Sequence, residues 1–122
     1  FTSGILKNEQ GRFRFIPLPV EAQFSTIQGI AVEDFDQDGQ PDILIGGNLF
    51  QAEIETTRAD ASIGLLLKGN KSPEMVSPVS VTKSGVFLPN DIKDVKAIRV
   101  QGKTGFLASA NNAALVYFKN MK

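Results

Sequence analysis

The chain has 122 residues, 42% of them hydrophobic and 21% charged, a composition that supports one small domain, or a piece of a larger protein, with a buried core. Its 13 Lys and Arg balance 13 Asp and Glu, so the net charge gives no reason to expect binding to nucleic acid or to an anionic membrane. The sequence contains no His and no Cys, which excludes disulfides, His- or Cys-ligated metals and the catalytic triads or dyads that need these residues.

Short apolar runs separated by turn residues predict an all-β chain. The runs Ile43-Leu44-Ile45 and Leu65-Leu66-Leu67 are continuous rather than alternating, which predicts strands that are covered on both faces. Residues 49–61 could form a short helix, with Glu55 and Arg58 at i,i+3 spacing, or a long loop. The predicted strands cover residues 4–7, 12–16, 27–35, 43–46, 63–68, 76–81, 95–100, 106–110 and 114–118.

An internal repeat is indicated by residues 39–48, which align without gaps with residues 102–111. The alignment predicts one complete unit followed by a degenerate one. We therefore divide the chain into the end of a preceding unit with its connection at 1–23, a complete unit at 24–86, and a degenerate unit at 87–122.

Four aspartates stand at the end of the third predicted strand and in the residues after it. They stand at positions 1, 3, 5 and 9 of a nine-residue loop: Asp34, Asp36, Asp38 and Asp42. Alternate spacing on a tight loop turns every second side chain inward, and several hard carboxylate oxygens suit Ca²⁺. Without a cation, each pair of carboxylates at ~4 Å repels by about 1 kcal/mol even at the dielectric constant of water. We therefore expect a loop that is loose when empty and ordered when filled.

Two further residues fit a calcium loop. Gly39, at position 6, permits a sharp turn because positive φ costs glycine little, and the carbonyl of Gln40 could supply another oxygen. The loop differs from an EF-hand, because the twelfth position is Ile45 instead of Glu and the segment that follows is a predicted strand. The alternatives are a solvated acidic turn without an ion and a catalytic role for the aspartates.

The degenerate unit has lost the acidic pattern. The repeat alignment places Ala97, Arg99, Gln101 and Gly105 where the four aspartates stand in the complete unit. The sequence therefore predicts one calcium site, and Arg99 could replace the charge of a second ion with its own.

Residues 32–48, with all four acidic positions, the glycine and the following strand, resemble the FG-GAP/VCBS repeat, the calcium-loop blade of integrin-like β-propellers. More loosely, nearly the whole chain is similar to the C-terminal part of large VCBS-repeat proteins exported by Bacteroidetes-type bacteria. The resemblance implies antiparallel four-stranded propeller blades, about two of them in this length, one bound Ca²⁺ and an extracytoplasmic location. Because a propeller needs about four to eight blades, we expect a fragment of a larger propeller, blades completed between chains, or a small sheet assembly.

The resulting functional hypothesis is a non-enzymatic calcium-binding module that binds a protein or a glycan, or acts as a scaffold, in an exported bacterial protein. We expect contacts with neighbouring blades of the same protein or with further copies of the chain, and no nucleic acid partner. We also expect no direct membrane insertion, because no apolar run approaches the ~20 residues of a membrane helix. One alternative is a structural part of a larger exported enzyme whose catalytic residues lie elsewhere; another is glycan hydrolysis by this segment itself. Four more polar residues could either secure loops or contact a ligand: Arg58, Asp60, Asn111 and Asn112.

Overall fold

A computed structural model describes residues 2–23, 27–47, 64–86, 88, 92–110 and 113–119. Within these ranges the chain is all-β, as predicted, with nine strands in three antiparallel sheets. Each predicted strand overlaps an observed one. The helical segments in these ranges are a short 3-10 turn at Val20–Gln23 and a four-residue helix, α1, at Val81–Ser84. The helix or loop considered for residues 49–61 lies outside the described residues.

The first sheet is a two-stranded hairpin of β1, Gly4–Glu9, and β2, Arg12–Pro17. Its turn places Gln10 and Gly11 at φ 55° and 91°, the positive values that a two-residue hairpin turn requires. This tight turn sets the register of the two strands.

The second sheet is a four-stranded meander in which each strand pairs with its neighbour in sequence. Leu44 at its centre lies opposite Ala31 on one side and Leu66 on the other. The strands are β3, Gly29–Glu33; β4, Asp42–Gly46; β5, Leu65–Gly69; and β6, Val76–Val79.

The third sheet is a three-stranded meander. A two-residue turn at Gln101 and Gly102, again with positive φ, joins its first two strands. The strands are β7, Ile92–Val100; β8, Lys103–Ala110; and β9, Val116–Lys119.

The second sheet lies between the other two; its central strands β4 and β5 are covered on both faces, whereas Ile30 and Val32 of β3 are each 56% exposed. One face contributes Ala31 and Leu44 to a core shared with Val95 and Phe106 of the third sheet. The opposite face contributes Ile45, Leu67 and Val76 to a second core, against which Ala22 and Ile5 pack. Leu44 and Leu67 are fully buried, so the prediction that β4 and β5 are covered on both faces is confirmed.

No helix of the described part of the chain has the length and apolar character needed to cross a membrane.

Candidate metal centre

The acidic loop occupies residues 34–41 and joins β3 to β4, and Asp42 opens β4 directly opposite Glu33. Three of the four aspartates identified in the sequence come together: Asp34, Asp36 and Asp42 each offer one carboxylate oxygen, and these oxygens lie within 4.8 Å of one another. Asp42 is buried, whereas Asp34 and Asp36 are half-buried. The structure thus forms an oxygen-lined cluster at one end of the middle sheet.

Asp42 is fixed by backbone donors on two sides. Its Oδ2 accepts a hydrogen bond from the Phe35 N–H at 3.0 Å, and its Oδ1 accepts one from the Gly69 N–H at 2.8 Å. Burial raises the pKa of this carboxyl, the two N–H donors oppose that shift, and the nearby Asp36 carboxylate adds to it. A cation beside Asp42 would favour its ionised form, because it would compensate for the lost hydration of a buried carboxylate.

Asp34 organises the turn of the loop. Its two oxygens accept hydrogen bonds from the N–H groups of Asp38, at 3.0 Å, and Gly39, at 2.7 Å. Gln37 and Gly39 have φ values of 62° and 89°, so the backbone is bent sharply at both residues. The predicted need for glycine at position 39 therefore has a structural basis.

Asp38 is not one of the three clustered aspartates, but it shares the Lys68 ammonium with one of them, Asp36. Its Oδ1 accepts a hydrogen bond from the Gln40 N–H at 2.8 Å, and its Oδ2 accepts one from Lys68 Nζ at 2.8 Å. The Lys68 ammonium also contacts Asp36 Oδ2. These contacts lower the pKa of Asp38 and raise that of Lys68. That Asp38 and the Gln40 carbonyl act as metal ligands stays a prediction.

The loop is anchored in the core by Phe35. Its ring stacks on the buried ring of Phe106 in the third sheet, with centroids 4.3 Å apart and planes 24° apart. The residue between the first two aspartates is therefore held by packing, which limits the freedom of the carboxylates on either side.

Gly69 brings β5 against the loop. A Cβ atom at this position would overlap the Pro41 carbonyl oxygen and would lie 3.3 Å from the Gln40 Cβ. Lys68, Gly69 and Phe35 were not among the predicted site residues. The one local signal was Gly69 itself, because an isolated glycine in a strand often marks a close approach of another backbone.

We expect Gly69→Ala to lower the free energy of unfolding by about 1–3 kcal/mol, because the new methyl group must push the loop away from β5. Urea unfolding measured by circular dichroism tests this. Lys71→Ala, an exposed change in the following turn, serves as the control. A Gly69→Ala variant as stable as this control would contradict the close approach of Pro41.

The corresponding hairpin of the third sheet has no acidic loop. Ala97 and Arg99 lie within β7, opposite Phe106 and Thr104, and Gln101 lies in the two-residue turn. The strands here continue through the positions that form the loop in the second sheet. The candidate residues Arg58, Asp60, Asn111 and Asn112 lie outside the described part of the chain.

Comparison of the chain with known protein families, with curated proteins and with solved structures finds no match.

Proposed function

We propose that the chain is a calcium-stabilised β-sheet scaffold or binding module without catalysis of its own. The observation that carries this proposal is the approach of Asp34, Asp36 and Asp42 oxygens to within 4.8 Å. Oxygen ligands lie about 2.3–2.6 Å from Ca²⁺, so two ligands on opposite sides of the ion are separated by about 4.6–5.2 Å. The cluster therefore has dimensions that suit this ion.

The chemistry of the donors also favours calcium. All three are carboxylates, and the sequence offers no His or Cys for softer metals. Mg²⁺ requires shorter distances and a near-ideal octahedron that usually retains several waters. Each Asp42 oxygen accepts one hydrogen bond from the described residues, which leaves lone pairs that could face an ion.

The strands that meet at the loop support a stabilising role for a bound ion. The aspartates join the ends of β3 and β4, Asp42 is bonded to Gly69 at the end of β5, and Phe35 reaches the third sheet. An ion held here would tie together three strands and two sheets. The carboxylates already serve as acceptors for backbone N–H groups and for Lys68, which suits a structural site better than a catalytic pair.

The resemblance to FG-GAP/VCBS blades is part of the proposal. The meander β3–β6 has the strand number and order of a propeller blade, and sheets pack on both of its faces. Leu6 and Phe15 face each other across the first hairpin with 62% and 53% of their surface exposed, which supports a contact with a further blade or another copy. An extracytoplasmic location and a protein or glycan ligand follow from the same resemblance.

Calcium is expected to raise the thermal midpoint of unfolding. At a free concentration about 100 times the dissociation constant, one bound ion adds about 2.7 kcal/mol, which corresponds to roughly 10 °C for a chain of this size. Circular dichroism melts in chelator, in millimolar calcium and in millimolar magnesium measure this shift. Equal midpoints in chelator and calcium, with no heat of calcium binding by calorimetry, would refute the proposal.

A further inference from the structure

Lys68 places a positive charge on the candidate metal centre from a different strand. It precedes Gly69 in β5, and its side chain reaches across to the loop between β3 and β4. Nζ donates to Asp38 Oδ2 at 2.8 Å and contacts Asp36 Oδ2. The ammonium therefore neutralises part of the repulsion among the loop carboxylates.

Asp36 belongs to two arrangements at once. It is one of the three clustered aspartates, and it is also a partner of the Lys68 ammonium. A divalent cation in the cluster would use the Asp36 carboxylate and would lie close to a like charge, which is unfavourable. Asp38, the other partner of Lys68, lies outside the cluster and is held by the same ammonium.

We propose that Lys68 is an intramolecular competitor of calcium at this site and sets its affinity. The inference rests on the proposed calcium function. In the calcium-free protein the ammonium occupies Asp36 and Asp38 and links β5 to the loop. Calcium binding displaces it from Asp36 and frees Asp38 to turn toward the ion.

A competitor and a simple structural ion pair predict opposite results. If Lys68 only held the loop in place, its removal would leave calcium binding unchanged or weaken it, because the loop would be less ordered. If Lys68 competes, its removal strengthens calcium binding and lowers the stability of the calcium-free protein.

Isothermal titration calorimetry with calcium chloride tests this on the wild type, Lys68→Met and Lys71→Met. Methionine keeps most of the length of the lysine side chain without the charge, and Lys71 is an exposed lysine in the turn after β5. We expect Lys68→Met to bind calcium about thirtyfold more tightly, the effect of removing one charge about 4 Å from a divalent ion at the dielectric constant of water. We expect Lys71→Met to bind like the wild type, and circular dichroism confirms that each variant is folded.

The outcomes separate this inference from the proposed function. Calcium binding by the wild type with equal or weaker binding by Lys68→Met overturns the role of Lys68 and leaves the proposed function standing. Binding by Lys68→Met alone supports competition by Lys68 but overturns calcium binding by the natural chain. Equal tightening in Lys71→Met indicates a general charge effect and overturns the inference, and absence of binding in all three proteins overturns both proposals.

Discussion

Leu44→Ala is expected to lower the free energy of unfolding by about 2–5 kcal/mol, the range for a fully buried leucine whose removal leaves a cavity. Leu44 has no exposed surface and lies at the centre of the middle sheet, between Ala31 and Leu66 on the neighbouring strands. It also packs in the core shared with the third sheet. Phe106 and Val95 of that core cannot fill the cavity left by the substitution without disturbing β7 and β8. Urea unfolding measured by circular dichroism gives the loss directly.

The matched control for this change is Leu115→Ala. Leu115 has 65% of its surface exposed just before β9, so the same substitution should change stability by no more than about 0.5 kcal/mol. If both variants lost the same stability, the placement of the middle sheet between the other two would be wrong.

Asp42→Asn is expected to have two separable effects. In chelator it should lower the free energy of unfolding by about 1–3 kcal/mol, because an amide offers one acceptor oxygen and leaves either the Phe35 or the Gly69 N–H without its partner in a buried position. In calcium the variant should also lose the stabilisation that the ion provides, so the difference from the wild type should widen. Urea unfolding in both buffers, with calorimetry for calcium affinity, measures the two effects.

Asp38→Asn is the matched control for Asp42→Asn. Its carboxylate lies near the surface and pairs with Lys68, and ion pairs exposed to solvent contribute little to stability. We therefore expect little change in chelator. If Asp42→Asn lost no more stability in chelator than Asp38→Asn, the buried hydrogen bonds to Phe35 and Gly69 would not contribute as described.

The strands could be located from the sequence because their signals are local. Apolar runs bounded by turn residues are sufficient to place β1 through β9, and the continuous apolar runs of β4 and β5 indicated burial on both faces. The strand ends were less well defined: β7 begins at Ile92, three residues before its predicted start, and includes a register shift between Ile92 and Asp94.

The sequence could predict only the part of the site whose residues are close together in the chain. The spacing of the aspartates identified the loop, but the contact between Lys68 and Asp38 joins residues 30 positions apart and depends on the pairing of β4 with β5. Simple alternation also fails within the loop, because Gln37 and Gly39 have positive φ and the chain there is not extended. Asp38 pairs with Lys68, which also contacts Asp36, and its carboxylate is not among the three clustered ones.

The meander topology has a consequence for the order of folding. Among the strands that the structure describes, every ladder joins two that follow one another in the chain, so pairing within a sheet requires comparatively small losses of loop-closure entropy. Docking of the three preformed layers is then the late event, and the turn between β3 and β4 can acquire its shape beforehand. Between the two hairpins, the ladder of β7 and β8, joined by a two-residue turn, requires a smaller loss of loop-closure entropy than the ladder of β3 and β4, joined by the eight-residue acidic loop.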